Sequence, residues 1–259
     1  MSHDSISSTI HDSAARGFDR SAGDYERGRP EYPAAAIDLL ARELRIGPGS
    51  SVVDLAAGTG KLTRGLIRTG ARVIAVEPVQ GMRTELIRAV PGAEVLAGTA
   101  EAIPLADESV AAVLVAQAFH WFDHPKAIRE FRRILKPGGF VALIWNARNT
   151  GQSHLMAAYE RIVTTYGSDF ARSGRELVPY ESLRELFGGN LEQHVLPNFQ
   201  DLDWPGLRGR LLSASYMPLA GQKGHDPMMT DLRSAFDKHQ KSDGVRLEYD
   251  TRIYLGRLT

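Results

Sequence analysis

The chain contains no cysteine. Disulfides, thiolate zinc sites and cysteine nucleophiles are therefore excluded. It also lacks an excess of charge of either sign, with 31 Lys+Arg against 31 Asp+Glu. Nucleic-acid phosphates usually select a basic face, so this balance points to a small-molecule substrate and away from RNA or DNA. No apolar run is long enough to span a membrane, and the opening "MSHDSISSTIHDSAARG" has no apolar signal-peptide core. The expectation is a soluble, cytoplasmic monomer or homodimer. Its 259 residues are ample for one well-buried core.

Five short apolar runs follow one another: 51–56, 71–78, 93–99, 110–118 and 140–146. Strands buried on both faces by helices read this way. Helical patterns lie between them. Leu62, Leu66 and Ile67 share one face; Met82, Leu86 and Ala89 another; Ile128, Phe131 and Leu135 a third. Gly70 closes the first, and the third runs from Pro125 to "KPGG". Such alternation predicts a Rossmann-like, doubly wound parallel sheet. Upstream, Ile37, Leu40, Ala41 and Leu44 form a helical stripe, and a shorter helix is expected over 15–28. Downstream, 147–195 looks helical, with "LMAAYERIVTTYG" the clearest case, while 194–204 and 246–258 have strand character and Asp243-Gly244 is a turn. The organisation expected is a mobile tail (1–15) and one domain (16–259). That domain divides into a cofactor half (about 16–146), a substrate-shaping half (about 147–245) and a final strand (about 246–258).

The loop "VDLAAGTGKLTRGL" (53–66) carries the first functional signal. A triphosphate-binding loop needs a glycine five positions before Gly60 and a hydroxyl after Lys61; Leu55 and Leu62 stand there. A dinucleotide fingerprint needs a third small residue where Thr63 stands, and Asp54 is an acid no pyrophosphate would welcome. S-adenosylmethionine carries no phosphate. It requires close main-chain approach, which Gly58 and Gly60 permit, an acid for its ammonium, Asp54, and an acid for its ribose diol, Glu77 at the next strand end.

The motifs "VVDLAAGTGKLT", "VIAVEPVQGM", "LAGTAEAIPL", "AQAFHWFD" and "RILKPGGFVALI", in this order, resemble those of class I S-adenosylmethionine-dependent methyltransferases. With "YERGRPEYP" (25–33) they are similar, more narrowly, to small-molecule enzymes of the trans-aconitate methyltransferase type. The resemblance covers roughly residues 18–144. It implies a seven-stranded sheet with the last strand inserted antiparallel. It also implies cofactor contacts at Asp54, Ala56, Gly58, Gly60, Glu77, Pro78 and Met82, adenine near Met82 and Thr99-Ala100-Glu101, and Gln117 beside the methionine part. Many relatives carry Asp where Thr99 stands. Arg29 is implied to reach the cofactor carboxylate; alone, it reads as a surface arginine. Tyr25 and Tyr32 are either a lid or anchors of the N-terminal helices.

"FHWFDHP" places His120 and His124 four apart, but Trp121 stands where a zinc-protease helix has its glutamate and Pro125 breaks the helix, so no metal is expected. Asp123 or His124 caps the next helix. His120 follows a strand end, where ligands bind in open sheets, and is the candidate general base or, equally, a structural histidine. Phe119, Trp121, Phe122 and Trp145 cluster at two strand ends, where they form a dry aromatic wall or ordinary packing; packing is the default for Trp121 and Phe122, and Trp145 and Asn146 border the substrate unless the tryptophan, as is the default, packs in the core. Ser213, Ser215 and Tyr216 are candidates for the substrate cavity or an ordinary polar loop. The expected activity is methyl transfer to a small molecule, onto a carboxylate or hydroxyl oxygen. N- or C-methylation, a cofactor-binding sensor without transfer, and a dehydrogenase remain the alternatives.

Overall fold

The computed structural model describes residues 26, 28–168, 178–214 and 216–258. The expected tail, Tyr25, Ser215 and most of the expected helix over 15–28 lie outside these residues. A first helix, α1 (Ala34–Glu43), buries Ile37, Leu39 and Leu40. Then β1 (Ser51–Leu55), α2 (Lys61–Ile67), β2 (Arg72–Val76), α3 (Gln80–Ala89), β3 (Glu94–Leu96) and β4 (Val110–Ala116) alternate as the apolar pattern demands. After α4 (His124–Ile134) come β5 (Leu135–Arg148), α5 (His154–Tyr166), α6 (Tyr180–Leu186), β6 (Leu191–Leu202), α7 (Trp204–Leu212), α8 (His225–His239) and β7 (Val245–Gly256).

The seven strands run in the order β3-β2-β1-β4-β5-β7-β6. The first five are parallel, and β7 is antiparallel to both β5 and β6. Val53, Leu55, Val113 and Val115 face one apolar layer; Val52, Ala112 and Leu114 face the other, with Leu62 and Leu66 of α2. Burial on both faces explains why these strands lack polar alternation.

Two expectations fail locally. Leu135 and "KPGG" belong to β5, which pairs from Leu135 with a register shift between Val110 and Ala112, so α4 ends at Ile134. The tail of the 147–195 region is strand, because β6 starts at Leu191.

The far ends of β6 and β7 outrun the rest of the sheet. Pairing of β5 with β7 stops at Arg148↔Tyr249, whereas β6 and β7 continue to Leu202↔Val245. This two-stranded ribbon projects past the carboxyl edge of the parallel sheet. Its apolar side is covered by α5, α7 and α8, through Met156, Tyr159, Leu207, Leu211, Leu232 and Phe236. Among the described residues no helix is long and apolar enough to cross a membrane.

Candidate functional site

Strand order reverses between β2-β1 and β4-β5, so the crevice outside the carboxyl ends of β1 and β4 is where an open α/β sheet receives ligands. Left-handed backbone lines it. Ala56 (φ 54°) and Gln117 (φ 61°) leave β1 and β4 in the left-handed region despite carrying side chains, and Gly58 (φ 58°) and Gly60 (φ 87°) join them. The two glycines differ in purpose. A Cβ on Gly60 would stand 2.9 Å from Leu86 Cγ of α3, so Gly60 permits helix-to-loop packing. A Cβ on Gly58 would meet nothing within 4 Å, so its main chain faces open space.

Two buried carboxyls flank this loop. Glu77, 5 % exposed, accepts from Gly58 N at 2.9 Å through Oε2 and from Val79 N at 2.8 Å through Oε1. Arg83 braces the same turn by donating to the carbonyls of Glu77 and Pro78 at 2.8 and 2.6 Å. Burial raises the Glu77 pKa above the ordinary carboxyl range, against these amides. Asp54, 1 % exposed, accepts from Thr63 Oγ1 at 2.6 Å through Oδ2, while Oδ1 has no hydrogen-bond partner. Burial, aided by the charge of Glu77, pushes Asp54 up to about 7. An acid oxygen buried without a donor is costly unless a ligand supplies one. Thr63→Val removes the single side-chain donor on Asp54, and the apo protein is expected to lose about 1–3 kcal/mol of stability, read as a lower urea midpoint at constant m.

Other expected positions fall as follows. Met82 is buried beside Leu86 on α3. Thr99 and Ala100 are buried, Ala100 within the apolar layer beneath β1 and β4. Glu101 spends Oε1 on Asp123 N at 2.9 Å. Gln117 donates to the Asn146 carbonyl at 3.5 Å. Arg29 donates to the Ser213 carbonyl at 3.2 Å, just after α7. Tyr32 packs against the apolar layer under α1. Asp123 caps α4, accepting from Lys126 N at 3.3 Å.

The aromatic side chains at the two strand ends follow the packing alternative. Trp145 is 4 % exposed and packs edge-on against Tyr254 at 5.7 Å, inside the core. Phe119, 1 % exposed, stacks on His124 at 4.4 Å. The reason is strand alternation: Trp145 shares its face with Val141 and Leu143, and it is Asn146 that turns the other way. Asn146 accepts from Thr251 at 2.6 Å and Asn198 at 3.2 Å, and both asparagines reach the Glu31 carbonyl. His120 sits in a one-turn 3₁₀ segment (Phe119–Trp121), and its Nδ1 is buried without a partner. Burial, and next the neighbouring His124, lower its pKa to about 4, so the ring is neutral at ordinary pH. Among the described residues no group of three His, Asp or Glu is placed to hold a metal.

Glu26 lies within "YERGRPEYP", but nothing in that segment marks it as a contact of the glycine loop. Its carboxylate accepts from Thr59 Oγ1 at 2.5 Å and Arg64 at 2.6 Å, and Lys61 lies 3.7 Å away. Burial opposes the charge, but the Thr59 and Arg64 bonds outweigh it and hold the carboxyl below its usual range. The N-terminal segment is thereby clamped over the glycine loop.

This fold and crevice define an α/β Rossmann-like methyltransferase fold. Residues 53–143 match the methyltransferase-domain family, whose members use S-adenosyl-L-methionine. It is similar to an uncharacterized methyltransferase of Mycobacterium tuberculosis, 51% identical over 132 residues that make up 51% of this chain and 53% of that one. An uncharacterized Schizosaccharomyces pombe methyltransferase-like protein is 43% identical over 133 residues, 51% of this chain and 52% of that one. In these alignments the chain spans about half the length of the curated relatives it matches. A solved chain from Anaeromyxobacter dehalogenans, proposed to be a type II methyltransferase, shares the fold with a TM-score of 0.67 at 23% identity, over 88% of this chain and 97% of that one.

Proposed function

We propose that the chain transfers the methyl group of S-adenosylmethionine to a small molecule, at an oxygen of the carboxylate or hydroxyl type. The observation that carries this reading is the pair of buried acids around Gly58. Asp54 offers an unengaged oxygen suited to the cofactor's ammonium, and Glu77 keeps lone pairs beyond its two amide bonds for a ribose diol. Neither group suits a pyrophosphate. Ala56, Gly58, Gly60 and Pro78 would supply close main chain; Met82, Thr99, Ala100 and Glu101 would border the adenine; Gln117 and Arg29 would border the methionine part. When bound, the cofactor supplies an electrophilic methyl on a sulfonium leaving group. The protein's own work is then to align the nucleophile in line with that methyl and keep water out.

The division into a cofactor half and a substrate-shaping half is supported by the separate apolar cluster of α5, α7 and α8 on the projecting ribbon. The motif resemblance to trans-aconitate-type enzymes supports a small acceptor. A demethylmenaquinone methyltransferase of Mycobacterium bovis, 29% identical over 83% of this chain and 91% of its own length, supports a non-macromolecular acceptor in the same way. Release of S-adenosylhomocysteine with a panel of small carboxylates and phenols tests the reading. Tight cofactor binding with no turnover across that panel would replace it with a sensor.

His120 enters only for an acceptor that must lose a proton. The ring is neutral above about pH 4, but its lowered pKa makes it a weaker base than an ordinary histidine, so any proton it takes must leave the acceptor together with methyl transfer. On a phenolic acceptor, His120→Gln is expected to lower kcat about a hundred-fold while S-adenosylhomocysteine affinity is unchanged. Full turnover on phenols in this variant makes His120 structural.

A further inference from the structure

Asp54 is an acid set among apolar strands. Its neighbours in register are Ala75 of β2 and Leu114 of β4, and neither side chain can donate a hydrogen bond. The donors come from Thr63, which is fully buried in the first turn of α2. The Thr63 hydroxyl reaches Asp54 Oδ2 at 2.6 Å. Its main-chain N–H, which has no helical carbonyl behind it, bonds the same carboxyl. The other threonine of the loop is spent elsewhere, since Thr59 donates to Glu26 at 2.5 Å. A third glycine at position 63 would keep the main-chain donor and lose the hydroxyl.

The elements packed round Asp54 add one further charge, that of Glu77 at the end of β2. β4 carries no ionisable residue, and α1 turns Ile37 and Leu40 into this layer. Lys61 and Arg64 of α2 are held by Glu26 and Glu31. Burial, and after it Glu77, favour the neutral acid. The two groups that favour the carboxylate both belong to Thr63. With Oδ2 engaged, Oδ1 is the oxygen open to a proton. It is also the oxygen open to the cofactor's ammonium. Two cations therefore compete for one buried atom.

We propose that Thr63 is a positioning residue: it fixes which oxygen of Asp54 meets the ammonium of S-adenosylmethionine, and it decides how well the cofactor competes with a proton there. This rests on the S-adenosylmethionine reading and adds a regulation to it. Acid displaces the cofactor, and the Thr63 hydroxyl sets the pH at which it does so. The hydroxyl needs no contact with the cofactor. It acts through the carboxylate, holding one oxygen in place while the other takes the ligand.

The test is S-adenosylhomocysteine affinity, measured by calorimetry on the full chain from about pH 6 to about pH 8.5. Parent, Thr63→Val, Thr63→Ala and Thr63→Ser are compared. The readout is the ratio of parent to variant affinity, in which titration of the ligand's own ammonium cancels. Losing one charge-assisted bond is expected to raise the Asp54 midpoint by about one pH unit in Thr63→Val. The ratio is then about ten-fold at pH 6 and falls to about two-fold or less at pH 8.5. Thr63→Ser keeps the hydroxyl and is expected to stay within about two-fold of the parent throughout. Thr63→Ala is read in the same way as Thr63→Val, and it decides the matter if the valine variant does not fold. A threonine that only supports the fold gives a ratio that is the same at every pH. That result overturns the proposal, as does parent-like affinity of Thr63→Val at pH 6, or a serine variant that follows the valine one. Failure of the S-adenosylmethionine reading looks different: S-adenosylhomocysteine then does not bind the parent at any pH.

Discussion

Glu77→Ala is expected to weaken S-adenosylhomocysteine binding about a hundred-fold. Each hydrogen bond from a ribose hydroxyl to a buried carboxylate is worth about 1.5 kcal/mol or more, and the alanine variant loses two. The same substitution also strips acceptors from Gly58 N and Val79 N. The loop loses its internal brace as well as its ligand contact, and some binding energy must then go into ordering Gly58 afresh. Glu77→Gln separates the two effects. Its carbonyl oxygen replaces one acceptor, but its NH₂ faces an amide donor and cannot replace the other. It should bind about ten-fold more weakly than the parent, between the parent and the alanine variant. Calorimetry reads both affinities, and thermal unfolding without ligand reads the brace. Affinity within about two-fold of the parent in both variants would remove the ribose assignment, whatever happens to stability.

How much of the molecule is legible in its sequence depends on the range of the interaction. The parallel sheet is readable because Val52, Val53 and Leu55, Val73–Val76 and Val110–Val115 are apolar on both faces, which only a doubly covered sheet requires. The crevice is readable because Asp54, Gly58 and Glu77 sit within two strand ends and one turn. Expectation fails where a local signal is overruled. "KPGG" punctuates a helix by composition, yet Leu135 pairs with Val110 and drags the segment into β5. Trp145 packs in the core, the default for a tryptophan at that place, and alternation sends Asn146 outward. Thr63 reads only as the missing third glycine, although a hydroxyl nine residues after Asp54 is one helical turn into α2 and within reach of it. Glu26 sits in "YERGRPEYP" without any local sign of its partner. Thr59 lies 33 residues away and meets it only once the N-terminal segment is laid over the glycine loop.

Cofactor affinity is expected to rise with pH through about 7, and Asp54 is the reason. In the free protein its carboxyl is raised from 3.8 to about 7, first by burial and then by the charge of Glu77. A carboxyl raised on folding favours the folded state fully below its unfolded value, and in the apo protein that advantage is lost as pH rises from about 4 through about 7. Binding reverses the preference. A cationic ammonium on Oδ1 selects the ionised acid, so below pH 7 each binding event must first expel a proton. Affinity for S-adenosylhomocysteine should then be about twenty-fold weaker at pH 5.5 than at pH 7.5, with most of the change below 7. Glu77, raised in the same direction, steepens the slope. Calorimetry at pH 6 in two buffers of different ionisation enthalpy should show close to one proton released per cofactor bound. Asp54→Asn should bind weakly and with a shallow pH dependence that belongs to Glu77 alone. A flat affinity in the parent from pH 5.5 to 7.5, with no proton released, would mean that the ammonium does not meet Asp54, and the crevice would need another anchor for the amino-acid end.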